Sequence, residues 1–110
     1  MKIALASSDG KFIDLHFGKC GKWTIIDFNE TDKTYKVLET RLSQSLCKDG
    51  GHSQSGIEDI SAILKDCSFV ITARIGIWVK QLLKEKGITV IENIGEIDSI
   101  LKETAQWQKN

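Results

Sequence analysis

The sequence contains no proline, so element limits must be read from glycine and from hydrophobic periodicity. It also lacks any excess of charge: Lys+Arg and Asp+Glu both number 15, for a formal net charge of +0. That argues against nucleic acid as the partner, because backbone binding needs a field of Lys and Arg. No apolar run approaches the length of a membrane span, and Lys2 is followed by only four apolar residues, too few for a secretion signal. The expectation is a cytoplasmic protein with no membrane partner. The three cysteines include no Cys-x-x-Cys pair, which argues against a zinc ribbon or a thioredoxin-like site. In a reducing compartment they are left as buried thiols or soft metal ligands.

The usual enzyme motifs are missing as well. Gly50-Gly51 lacks the Gly-Lys-Ser or Gly-Lys-Thr ending of a phosphate loop, and Ser8-Asp9-Gly10 supplies one glycine where a dinucleotide fingerprint needs three. His16 with Ser7 or Ser8 has no nucleophile elbow around it. Asp9 and Asp14 form a candidate carboxylate pair, but spacing alone does not bring them to one bond. Asp9 is a cofactor-binding candidate at the strand exit and also fits the role of a brace for its own Asp-Gly turn.

What is present is the pattern of one α/β domain spanning residues 1–110, with 41% hydrophobic residues. Lys2 to Ser7 reads as a buried strand. In Phe12 to Phe17 an extended chain would put Phe12, Asp14 and His16 on one face, with Ile13, Leu15 and Phe17 on the other. Trp23 to Phe28 and Tyr35 to Thr40 read as a hairpin, the second strand near an edge. Ile57, Ile60, Ile63 and Leu64 mark an amphipathic helix, with Glu58 and Asp59 favourably near its N-terminus. Ser68 to Ala73 and Ile88 to Ile91 read as buried strands. Between them Trp78 or Val79, with Leu82 and Leu83, gives a helix that Gly87 ends. Ile97, Ile100, Leu101, Thr104 and Trp107 give a last helix. Trp23, Trp78 and Trp107 read as packing residues, and an exposed one would mark a partner surface. The pattern predicts a five-stranded mixed sheet with helices on both faces.

Ligands of open α/β sheets gather beyond the carboxyl ends of parallel strands, which selects Ser7–Gly10, Arg74–Gly76 and Glu92–Gly95. His16 and Cys20 follow the first of these loops directly. If Phe17 to Lys22 makes a helical turn, both side chains point the same way, and imidazole with thiolate suits iron or another transition metal. The alternative is a histidine packed on the sheet beside a buried thiol. Cys47 and His52 form a second pair in the aperiodic stretch Arg41 to Gly56, where Gly50-Gly51 lets the backbone approach a ligand. Its alternative is an exposed loop without a ligand. Cys67, just before a strand, reads as a core thiol.

The opening Met1 to Gly10 with Leu15-His16-Phe17-Gly18-Lys19 resembles the dinitrogenase iron–molybdenum cofactor-binding family. Gly50-Gly51-His52, Leu64-Lys65-Asp66-Cys67, Gly76, Leu83 and Gly87-Ile88-Thr89-Val90 extend the likeness over nearly the whole chain. The resemblance implies a ribonuclease H-like three-layer α/β/α sandwich. It also implies non-catalytic binding and carriage of an iron–sulfur-type metallocluster, the iron–molybdenum cofactor or a related one. Donor and acceptor proteins of that cluster are then the expected partners. His16 corresponds to the family's cofactor-associated histidine, and Gly50-Gly51-His52 to its glycine- and histidine-rich loop. Many relatives carry several histidines in that loop where this chain has only His52, so Cys20 and Cys47 are the softer ligands expected to complete the set. At this length a carrier or regulator is expected rather than a cofactor-building enzyme. Two other readings stay open: a metal-free interaction domain, monomeric or a weak homodimer through its hairpin edge, and a Mg-dependent hydrolase.

Overall fold

The computed structural model describes residues 1–43 and 54–104, with the backbone alone at 54 and 55. Cys47, Gly50-Gly51, His52 and Trp107 lie outside the described residues. Five strands form the main sheet: β1 (Lys2–Leu5), β3 (Lys22–Asn29), β4 (Thr34–Leu42), β5 (Phe69–Thr72) and β6 (Thr89–Glu92). Their order is β4-β3-β1-β5-β6. β1, β5 and β6 run parallel, and β3 and β4 are antiparallel additions at one side. Two short strands, β2 (Phe12–Ile13) and β7 (Gly95–Glu96), pair with each other at the rim.

The predicted mixed sheet, covered on both faces, is realised. Alternating side chains of the strands sort into two separate cores. One holds Ala4, Trp23, Ile25, Val70 and Val90 under α1 (Gln54–Ile63) and α2 (Ile77–Glu85), through Ile57, Ile60, Val79 and Leu83. The other holds Ile3, Leu5, Ile26, Phe28 and Ile71 under α3 (Ile97–Glu103), through Ile97, Ile100 and Leu101. These are the three layers of an α/β/α sandwich.

Gly87 has φ +88, the left-handed conformation that glycine adopts freely, and it ends α2 as expected. Its N–H donates to Lys84 O at 3.0 Å and that of Ile88 to Leu83 O at 2.9 Å, which satisfies the last carbonyls of the helix. Two local expectations are corrected. α1 begins at Gln54, so Glu58 and Asp59 lie beyond its first turn, which carries no acidic residue. Trp78 is 81% exposed, because Val79 and Leu83 make the buried stripe of α2 and Trp78 falls off it. Cys67 is a core thiol, as expected.

Candidate functional site

The site is built where β1 hands the chain to a loop that comes back on itself. Ala6 continues the pairing of β1, its N–H donating to Ile71 O at 2.9 Å. The chain then leaves through Ser7 to Ile13 and returns, so that Ala6 O accepts from the N–H groups of Asp14 and Leu15 at 3.3 and 3.2 Å. Gly10 makes this reversal with φ +77. Asp9 Oδ1 accepts from the N–H groups of Lys11 and Phe12 at 2.8 and 3.0 Å, and from the Ser7 hydroxyl at 3.2 Å. The backbone donors of Lys11 and Phe12 hold the Asp9 carboxyl below its ordinary pKa. Asp9 therefore braces the turn, as its spacing suggested. Asp14 does similar work, accepting from Ser8 N at 2.9 Å and from the Ser8 hydroxyl.

The returning segment wedges between the ends of β1 and β5. Leu15 O accepts from Ala73 N at 3.0 Å and from the Thr72 hydroxyl at 2.9 Å, and Phe17 N donates to Arg74 O at 2.8 Å. Between those bonds His16 forms a parallel bridge with Arg74. The alternation read from the sequence holds along this stretch. Phe12, Asp14 and His16 are exposed, Ile13 and Phe17 are buried, and Leu15 is half-buried. His16 thus stands on the solvent side of a backbone fixed from both flanks, at the rim where parallel strands end.

Past His16 the chain makes one short 3-10 turn, Phe17–Lys19. It is shorter than the helical turn that would align His16 with Cys20. Phe17 packs against Trp23 with ring centroids 5.3 Å apart and anchors the turn. Cys20 is fully buried, and its thiol donates to Lys22 O at 3.1 Å. Burial pushes that thiol up to about 11, so it stays protonated at neutral pH. Histidine and cysteine therefore share a turn but not an environment.

Ser43, the last described residue before Cys47 and His52, docks on this same turn. Its N–H donates to Gly21 O at 3.0 Å, and its hydroxyl accepts from Trp23 Nε1 at 3.0 Å and donates to Cys20 O at 3.4 Å. Nothing in the sequence flagged Ser43. Thr72, also missed, is a fully buried hydroxyl that ties β5 to Leu15; a polar residue ending the apolar run Phe69–Ile71 was its signal. Elsewhere on the rim Glu92 accepts from Ile75 N at 3.2 Å and from Lys80 Nζ at 3.4 Å. Among the described residues no three His, Cys, Asp or Glu side chains converge as a metal site. Of the two predicted metal ligands among them, His16 is exposed and Cys20 is buried.

The model of the family described as dinitrogenase iron-molybdenum cofactor matches residues 1–106 of the chain. The FeMo cofactor biosynthesis protein NifB of Sinorhizobium fredii is 27% identical over 95 residues, which are 86% of this chain and 19% of that protein. NifB of Frankia alni is 25% identical over 104 residues, 92% of this chain and 20% of that protein. The chain thus spans about a fifth of the length of these relatives. Among solved structures, PH0822 superposes with a TM-score of 0.65 at 19% identity, covering 99% of this chain and 100% of that one. MJ0327 of Methanocaldococcus jannaschii superposes with a TM-score of 0.53 at 18% identity, covering 93% and 85%. These structural likenesses concern the fold. With nearly its whole length matched by the family model, the chain belongs to the dinitrogenase iron–molybdenum cofactor family.

Proposed function

We propose that the protein binds and carries an anionic iron–sulfur-type metallocluster, the iron–molybdenum cofactor or a related cluster, without transforming it. The observation that carries this reading is His16: an exposed imidazole on a backbone fixed between β1 and β5. Imidazole is a suitable donor to iron. An imidazole on the solvent side of the rim is open to cargo that must be received and released.

In this reading the remaining ligands come from Cys47 and His52. Docking of Ser43 on Cys20 and Gly21 favours that arrangement, because Cys47 is only four residues further along. Four residues of chain reach at most about 14 Å. Cys20 joins the set only where its turn opens and its thiol ionises; otherwise it stays in the core. Asp9 acts through the turn it braces. Arg74, exposed and joined to His16 through the backbone, adds positive charge beside the anionic cargo. The partners are then the proteins that donate and accept the cluster. Asp9 Oδ1 and both oxygens of Asp14 accept from turn donors, which disfavours the metal-dependent hydrolase.

The test is anoxic reconstitution with ferrous iron and sulfide, followed by iron and acid-labile sulfide analysis and absorption spectroscopy. The carrier reading expects stoichiometric iron and sulfide that a strong chelator removes without unfolding the protein. A chain that stays free of both is not a carrier.

A further inference from the structure

β4 is the outer strand of the main sheet, and among the described residues nothing pairs with its free edge. Sheet edges are usually blunted by shortness, proline or projecting charge. β4 is nine residues long and contains no proline. Of its charged residues, Arg41 donates to Glu39, Asp66 and Ile63 O, and Lys36 and Glu39 are exposed. Val37, Leu38 and Leu42 are 59%, 42% and 74% exposed.

The register of β4 on β3 carries a bulge. Ile25 faces Glu39 while Ile26 faces Val37, so Leu38 is the extra residue. The bulge changes which side chains share a face. Lys36 lies opposite Asp27, Glu39 opposite Ile25 and Arg41 opposite Trp23. Asp27, Ile25 and Trp23 alternate along β3 and point to one face. Lys36, Glu39 and Arg41 therefore point to that face too, and Tyr35, Val37 and Thr40 to the other.

We infer that this edge pairs with a second copy of the chain, β4 to β4 and antiparallel, about a two-fold axis between Val37 and Leu38. In that register Lys36 of each copy lies opposite Glu39 of the other, on the same face. Val37 lies opposite Leu38, and Tyr35 opposite Thr40. The two-fold repeats each pair, as an isologous contact requires. Moving the register so that Lys36 lies opposite Arg41 keeps the faces matched but centres the two-fold on Glu39, which sets each Glu39 opposite that of the other copy, a like-charge contact that destabilises sheet pairing. Charge therefore selects the first register. Two five-stranded sheets become one of ten strands, and the exposed Val37 and Leu38 are covered at its centre. His16, at the ends of β1 and β5, lies away from this edge, so both copies keep an open site.

The test is sedimentation velocity on the whole chain, wild type and two charge reversals, up to about 1 mM. Wild type is expected to form a dimer within this range. Lys36→Glu faces its own Glu39 and Glu39→Lys faces its own Lys36, so each alone is expected to weaken association at least about tenfold. An equimolar mixture of the two restores both opposite-charge pairs and is expected to associate again. Wild type that stays monomeric, a single reversal that associates like wild type, or a mixture no more associated than its components would each overturn the inference.

Discussion

The indole of Trp23 donates to the Ser43 hydroxyl at 3.0 Å, from a ring that is itself fully buried. This bond joins the start of β3 to the point where the chain departs toward Cys47 and His52, beside the turn that carries His16.

Ser43→Ala leaves that indole N–H without its partner. An unsatisfied buried donor costs about 1–3 kcal/mol, so the urea midpoint should fall accordingly. Cluster retention should fall as well, since the second ligand pair loses its anchor. An unchanged midpoint would show that the bond is not formed in solution.

Trp78 and Trp23 should behave as opposites. Trp78→Ser, on a side chain 81% exposed, should change stability by less than about 0.5 kcal/mol. Trp23→Ala empties the centre of a core and should cost about 3–5 kcal/mol. Chemical denaturation of both variants distinguishes them, and equal losses would contradict the assigned packing.

The contrast between these tryptophans shows what the sequence made legible. Strand alternation put His16 and Phe17 on opposite faces, because a period of two leaves no third choice, while which face meets solvent is decided by the sheet and helices around the segment. Helical spacing near Trp78 was ambiguous by one position, since Trp78 and Val79 both fit with Leu82 and Leu83; only the sheet beneath decides which is covered. Cys20 was harder still. Its direction depends on whether the turn runs for one 3-10 step or a full helical turn, and that is set by Phe17 packing on Trp23. The brace at Asp9 was readable because an Asp-Gly turn is a local motif. Ser43 was not, for its partners lie 20 and more residues away.

The buried thiols set the alkaline limit. Burial pushes Cys20 and Cys67 up to about 11 from an unfolded value of 9.0. The folded state therefore holds those protons where the unfolded chain loses them. Their contribution is complete below pH 9.0 and lost as pH rises toward about 11. Urea unfolding between neutral pH and this range should show falling stability, with a shallower fall in Cys20→Ala. An equal slope in wild type and variant would contradict it.

Asp66 governs the acid side. Arg41 and then Lys2 hydrogen-bond its carboxylate, at 2.7 and 2.9 Å, and hold it well below the ordinary carboxylate range. Its contribution is present above the unfolded pKa of 3.8 and disappears as pH falls through the depressed folded value. The side chain is 40% exposed, so solvent screening limits this contribution to about 0.5–1 kcal/mol. Asp66→Asn should lower stability by that amount at neutral pH and converge with wild type in acid. Parallel acid-unfolding curves would contradict it.

The central claim is that His16 presents a transferable cluster. The most direct measurement is iron and acid-labile sulfide per chain after anoxic reconstitution of wild type and His16→Ala, with folding checked by circular dichroism. His16 is exposed, so its removal should leave the fold intact. The account predicts that wild type holds both elements in stoichiometric amounts and that His16→Ala loses most of them. Equal retention by the two proteins would contradict it.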